Sequence, residues 1–377
     1  MTRQIITGVR ILSDEGWRDD QALVIAGGCI EAIIPVSSAP SGDRIDLGGG
    51  MLLPGFIDTQ VNGGGGALFN DDPSVETIAT IAAAHRRFGT TGFLPTLISD
   101  DFSVIERAIA AVEAAIAAKV PGVLGIHIEG PFLNAGKRGI HDADKFRVID
   151  DAAIELLASL KTGVTLVTLA PELAGKGVIA KLVARGVLIA AGHSLATYEQ
   201  MQSAKSEGLH SVTHLFNAMT PFESRAPGIV GAALEGGLIS GIIVDGHHVH
   251  PAALRAAFAA MGAEQLMLVT DAMPSVGSRS KHFTLGGQDI IAEGGTCRAP
   301  DSTLAGSDLD MAMAVRNAVS MMNVDLAQAS RMTSGTPAAF LGMGQTRGRL
   351  APGLAADMVH LDEAMMPQST WIAGQRA

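Results

Sequence analysis

His193, His214 and Asp271 each stand directly after a short apolar run, and Glu129 sits inside another. The stretches are GIHIEGP at 125–131, VLIAAGHS at 187–194, SVTH at 211–214 and LMLVTD at 266–271. Imidazole nitrogens and carboxylate oxygens bind divalent metals, zinc above all, and a catalytic zinc typically has three protein ligands and one open position. Glu129, His193 and His214 offer one carboxylate and two imidazoles, which makes a metal-dependent enzyme the leading reading. His127 lies two residues before Glu129, so both face the same side of a strand. His127 therefore falls one layer deeper, behind the ligands. Asp271 admits three readings: a base that takes a proton from water near the metal, a fourth ligand, or a helix cap.

Something must bring these groups together. Continuous apolar runs are the mark of buried parallel strands, and in a (β/α)8 barrel the reactive groups sit at the C-terminal strand ends. From about residue 51 to 344, strand and helix patterns alternate, as in the Ala-rich helix 104–119 and the strand 163–169. This is the signature of βαβ units and a parallel sheet. Residues 1–50 and 345–377 read instead as short strands and turns. The expected fold is α/β: a TIM-like (β/α)8 catalytic barrel over 51–344, with a small β-sandwich domain formed jointly by both chain ends.

The bulk numbers agree. A chain of 377 residues, 47% apolar, accommodates a barrel of about 250 residues and a smaller unit. The net charge of −11 argues against a nucleic-acid partner. A local basic site for a small anion stays compatible with it. No run of 18 residues is free of charge, so no membrane helix is expected. Asp14 and Glu15 follow too soon after Arg3 for a signal peptide. Two cysteines, Cys29 and Cys297, give no disulfide framework and point to a reducing cytoplasm.

Longer segments carry a resemblance. They include PGFIDTQVNG at 54–63, GTTGFLPT at 89–96, HIEGPF at 127–132 and KRGIH at 137–141. AGHS at 191–194, THLFNAM at 213–219, VDGHHV at 244–249 and LVTDA at 268–272 complete the set. In order and over nearly the whole chain, these segments resemble the N-acetylglucosamine-6-phosphate deacetylases of the amidohydrolase superfamily. The resemblance implies hydrolysis of the acetamide of a phosphorylated amino sugar, in amino-sugar catabolism. It implies Glu129, His193 and His214 as metal ligands and Asp271 as the base that later protonates the leaving amine. His141 would stand near the acetyl carbonyl oxygen. Backbone N–H groups of Asn217 and Ala218, with Arg225 and His248, would meet the sugar phosphate. Some of those contacts would cross a homodimer interface. An N-acetylgalactosamine 6-phosphate substrate, or another amide, is the alternative.

One departure matters. Many amidohydrolases carry His-x-His at the end of the first barrel strand and hold two metals; here the position reads Asp58-Thr59-Gln60. One divalent ion per chain, zinc by its donors, is therefore expected. Asp58 reads as a capping or orienting group and Gln60 as a holder of water at the metal. Gly63 to Gly66 lacks the Lys-Ser/Thr of a phosphate loop and reads as a turn. His85, His210, His282 and His360 read as surface histidines. Met311, Met313, Met321 and Met322 read as core packing.

Overall fold

The computed structural model describes residues 3–376. Its centre is a sheet of eight parallel strands in sequence order. They are β1 (Phe56–Val61), β2 (Thr90–Ile98), β3 (Gly125–Glu129), β4 (Val164–Leu169), β5 (Leu188–Ala191), β6 (Ser211–Val212), β7 (Ile239–Ile242) and β8 (Leu266–Leu268). The sheet closes on itself where Val61 bridges Ala272 and the Asp271 N–H donates to the Gln60 carbonyl at 3.0 Å. Helices α1 (Val75–Arg86), α2 (Phe102–Ala117), α3 (Asp151–Leu157), α4 (Val178–Val183), α5 (Tyr198–Ser206), α6 (Gly228–Leu234), α7 (Pro251–Met261) and α8 (Met311–Asn317) follow the strands one by one. The expected barrel is the observed one.

Local chemistry explains these elements. In α2, Ile105, Ala108, Ile109, Val112 and Ala115 recur at helical spacing and are buried, which lays one apolar stripe on the sheet. Thr197 and Gln200 start α5 with reciprocal side-chain caps on the chain's own N–H groups. Inside the barrel, Ile57, Leu94, Leu166, Ala190 and Met267 pack over Phe340 and Leu341 at the end of the helix Thr336–Phe340. That apolar floor leaves the opposite end for polar groups.

Both chain ends build the second unit. Gln4–Thr7, Gln21–Ala26, Cys29–Pro35 and Asp43–Asp46 form one sheet, and Arg10–Ser13, Gly16–Arg18, Met51–Pro54, Met358–Leu361, Pro367–Ile372 and Gln375–Arg376 the other. Ile6, Leu23, Leu52, Met358 and Trp371 fill the core between them. Met51–Pro54 pairs with Arg10–Ser13 and Met358–Leu361, so it belongs to this sheet, and we draw the barrel from Phe56. A four-stranded antiparallel sheet, His282–Ser307, is inserted between β8 and α8. Among the described residues, no helix is long and apolar enough to cross a membrane.

Candidate active site

Glu129 is the last residue of β3, and His193, His214 and Asp271 lie two or three residues past β5, β6 and β8. All four open on the C-terminal end of the barrel. His193, His214 and Asp271 have left-handed backbones, with φ of 48°, 30° and 51°. Side chains other than glycine rarely adopt this conformation, and such strain concentrates at functional sites. It turns each side chain back over the barrel mouth instead of letting the strand run on.

Three of these side chains converge. Glu129 Oε1 lies 3.0 Å from His214 Nε2 and 3.2 Å from His193 Nε2, and the two Nε2 atoms are 3.1 Å apart. All three residues are buried, and they form a group able to hold a metal ion. His193 Nδ1 donates to the Lys137 carbonyl at 2.8 Å, which leaves its Nε2 lone pair facing the cluster. Metal–donor bonds of about 2.0–2.1 Å in a tetrahedron separate neighbouring donors by roughly 3.3 Å. The observed separations fit an ion at the centre. Burial opposes charge on Glu129, but hydrogen bonds with His193 and His214 hold its carboxyl well below the usual range. Burial likewise opposes charge on His214, and the Glu129 carboxylate outweighs it, raising the imidazole.

Asp271 sits beside this cluster. Its Oδ1 accepts from the side-chain amides of Asn62 at 2.6 Å and Gln60 at 3.2 Å. The same Gln60 nitrogen donates to Glu129 Oε2 at 3.0 Å. Burial, then repulsion from Glu129, push the Asp271 carboxyl up to about 6. Asn62 carries no role in the sequence reading, although its spacing of two from Gln60 places it on the same face. Asp58 is fully buried and accepts from Thr270 Oγ1 at 2.5 Å and from the Gln60 N–H at 3.2 Å. It ties β1 to the residue before Asp271. His127 bonds the Thr59 carbonyl at 3.0 Å and Thr168 Oγ1 at 2.8 Å, and burial lowers it to about 4.

Above the cluster opens a cavity of about 510 Å³, lined among others by Asn62, Arg138, His141, Asn217, Ala218 and His248. Thr303 and Leu304 of the inserted sheet wall it. His141 packs its ring against His193, with centroids 4.4 Å apart, and burial, then charge on His193, lower it to about 3. His248 Nδ1 bonds Asp245 Oδ2 at 2.6 Å. The Asn217 N–H donates to the His214 carbonyl at 3.0 Å, so that donor is occupied within the chain. Arg225 is exposed and is not part of the lining.

Two of the other histidines, His85 and His360, are not at the surface, contrary to expectation. His85 is buried and donates to the Gly63 carbonyl at 2.9 Å. His360 is buried as well and bonds the Gly49 carbonyl at 2.9 Å. His282 is exposed and His210 partly buried. Gly63–Gly64 pairs with Ala67–Leu68 as a short hairpin. Met311 and Met322 join the main core, whereas Met313 is exposed.

Relatives share this framework. The N-acetylgalactosamine-6-phosphate deacetylase of Shewanella sp. (strain ANA-3) is 43% identical over 98% of this chain and 95% of its own length. The structure of N-acetylglucosamine-6-phosphate deacetylase from Pasteurella multocida superposes with a TM-score of 0.96 at 32% identity, covering 100% of this chain and 99% of the other. A variant of the Mycobacterium smegmatis N-acetyl-D-glucosamine-6-phosphate deacetylase, solved in complex with N-acetyl-D-glucosamine-6-phosphate, gives 0.93 at 32% identity, covering 100% and 99%. Residues 51–377 match the Amidohydrolase family. With a closed parallel barrel, a Glu-His-His cluster at its mouth and this match over most of its length, the chain belongs to the amidohydrolase family.

Proposed function

We propose that this protein hydrolyses the acetamide of N-acetyl-D-glucosamine 6-phosphate to glucosamine 6-phosphate and acetate. The observation that carries the reading is the Glu129–His193–His214 cluster joined through Gln60 to Asp271 on the floor of one cavity. One divalent ion per chain, zinc by the donor set, would be held by Glu129, His193 and His214 and would supply carbonyl polarisation and acidification of water. Asp271 takes the proton of the attacking water and passes it to the departing nitrogen. In the metal-free site burial raises this carboxyl to about 6, an environment that helps it keep a proton once it has taken one. His141 donates to the acetyl oxygen as negative charge develops there. Gln60 positions the water, and His127 stiffens the barrel behind the ligands.

The phosphate is bound away from the chemistry by Ala218, Asn217, His248 and Arg225, so that remote binding orients the acetamide. To use the Asn217 N–H, the phosphate must take it from the His214 carbonyl. Arg225, exposed on its loop, reaches the cavity of a partner subunit in a homodimer. Its planar fork suits a phosphate. Two free cysteines, one exposed, suit a cytoplasmic enzyme.

The galacto epimer is a second reading, favoured by the 43% identity to a relative of that name. Release of free amine from N-acetylglucosamine 6-phosphate, its galacto epimer and both unphosphorylated sugars tests the whole. The higher kcat/KM of the two phosphates identifies the substrate. Equal turnover with and without phosphate overturns the phosphate assignment, and no turnover of any overturns the function.

A further inference from the structure

We infer that Ser99 is a positioning residue that holds His141 in the tautomer with its proton on Nε2. The inference rests on the proposed role of His141 at the acetyl oxygen. Ser99 directly follows β2, so its backbone is fixed by the barrel. His141 lies on the long connection between β3 and α3, where the ordered elements are single 3-10 turns. The two residues are buried, 6% and 4% exposed. The Ser99 N–H reaches His141 Nδ1 at 3.3 Å and the Ser99 hydroxyl reaches it at 2.8 Å.

A backbone N–H can only donate. Nδ1 must therefore be the acceptor, and the hydroxyl donates to the same nitrogen. A neutral imidazole with an accepting Nδ1 carries its proton on Nε2. Nε2 has no protein partner among the described residues, and His141 lines the cavity above the metal cluster. The arrangement gives the cavity a neutral N–H donor. The opposite tautomer would present a lone pair to a carbonyl oxygen and repel it. Ser99 thus decides the sign of the interaction without touching substrate. Gly130 makes room for this contact: a Cβ there would meet the Ser99 hydroxyl, and its φ of +86° disfavours a side chain in any case.

Two-bond ¹H–¹⁵N spectra of the wild-type protein with labelled histidine read the tautomer directly, with His141 assigned by its loss in His141→Gln. The expected pattern is an unprotonated Nδ1 and a protonated Nε2; the reverse overturns the inference whatever any variant does. Ser99→Ala keeps the N–H and removes the hydroxyl, so kcat should fall roughly fivefold to tenfold, the worth of one hydrogen bond, with KM within about twofold. In a His141→Gln background the same change should alter kcat by less than about twofold, because coupled residues are not additive. Equal losses in both backgrounds mean that Ser99 acts on the fold and not through His141, and overturn the inference. If His141→Gln alone leaves kcat intact, the acetyl-oxygen role in the proposed function fails, while the spectra still report the tautomer.

Discussion

The side-chain nitrogen of Gln60 lies between two carboxylates, 3.0 Å from Glu129 Oε2 and 3.2 Å from Asp271 Oδ1. A neutral amide there keeps two buried acids apart in role. Glu129 stays ionised through its imidazole partners, whereas Asp271 is pushed up to about 6. The same position filled by imidazole would offer a further metal ligand. Filled by glutamine, it stands between the proposed ligand Glu129 and the proposed base Asp271.

Asp271→Asn should lower kcat by at least about a thousandfold, since general acid–base groups contribute roughly 10²–10⁴ and this one acts twice. Metal content should stay close to wild type, because Asp271 lies outside the three-residue cluster. Elemental analysis beside steady-state kinetics checks both. Loss of metal would make Asp271 a ligand.

Glu129→Gln should strip the metal. The amide removes the negative charge that faces His193 Nε2 and His214 Nε2 at 3.2 and 3.0 Å. Activity should disappear with the metal and return only in part at high added zinc. A variant that retains stoichiometric metal after dialysis would remove Glu129 from the ligand set. A wild-type stoichiometry near two would overturn the single-ion reading.

Metal retention should depend on pH in one direction. Ligands bind deprotonated, and in the metal-free cluster the Glu129 carboxylate raises His214 against the effect of burial. Protons therefore compete for the site as pH falls, and at His214 they do so already above the ordinary imidazole range of about 6.5. Dialysis against buffers of pH 8 to 5 should show full retention at the alkaline end and progressive loss toward the acid end. Loss that grows toward pH 8 would contradict the proposed donors.

Asp58 should make the fold less stable as pH rises. Burial raises its carboxyl to about 7, against hydrogen bonds from Thr270 and Gln60. Between the unfolded value, about 3.9, and 7, the folded chain holds a proton that the unfolded chain does not. By linkage the protonated form stabilises the fold at low pH, and that stability is lost as pH climbs through 7. Asp58→Asn cannot ionise, so its Tm relative to wild type should increase from pH 5 to pH 8. Parallel Tm curves for the two proteins would sink this account.

Arg225→Ala should raise KM for the phosphorylated sugar at least about tenfold, the range of a charged hydrogen bond, and leave the unphosphorylated sugar nearly unchanged. Mixed with Asp271→Asn subunits, it should recover part of the lost activity if Arg225 serves the neighbouring site. No recovery in proven mixed dimers would place each site within one chain.

That Glu129, His193 and His214 would cluster was legible because each stands at the end of an apolar run, where only a barrel mouth gives a polar group company. The inserted sheet was not. Gln288–Glu293 alternates exposed and buried over six residues, and its neighbours are short and rich in glycine, so the segment reads as loop beside long buried strands. His85 was misread as a surface residue because a polar residue near a helix end suggests solvent. Yet it stands four residues after the buried Ile81, on the stripe that faces the barrel. Met51–Pro54 is apolar throughout, like a barrel strand, and only its pairing with the chain ends assigns it. Ser99 gave no signal of its own and Asn62 only its spacing from Gln60, because their contacts lie 42 and 209 residues away in sequence.

The left-handed backbones of His193, His214 and Asp271 carry a thermodynamic consequence. The chain on its own disfavours these conformations by about 1–3 kcal/mol each, so the surrounding barrel imposes them. Heat or denaturant should therefore loosen the mouth while the strands below still hold. A short peptide copied from 187–194 or 211–214 would lack that constraint and bind metal far more weakly. A metal held there as proposed would favour the constrained state over the relaxed one, and so would clamp the mouth of the barrel.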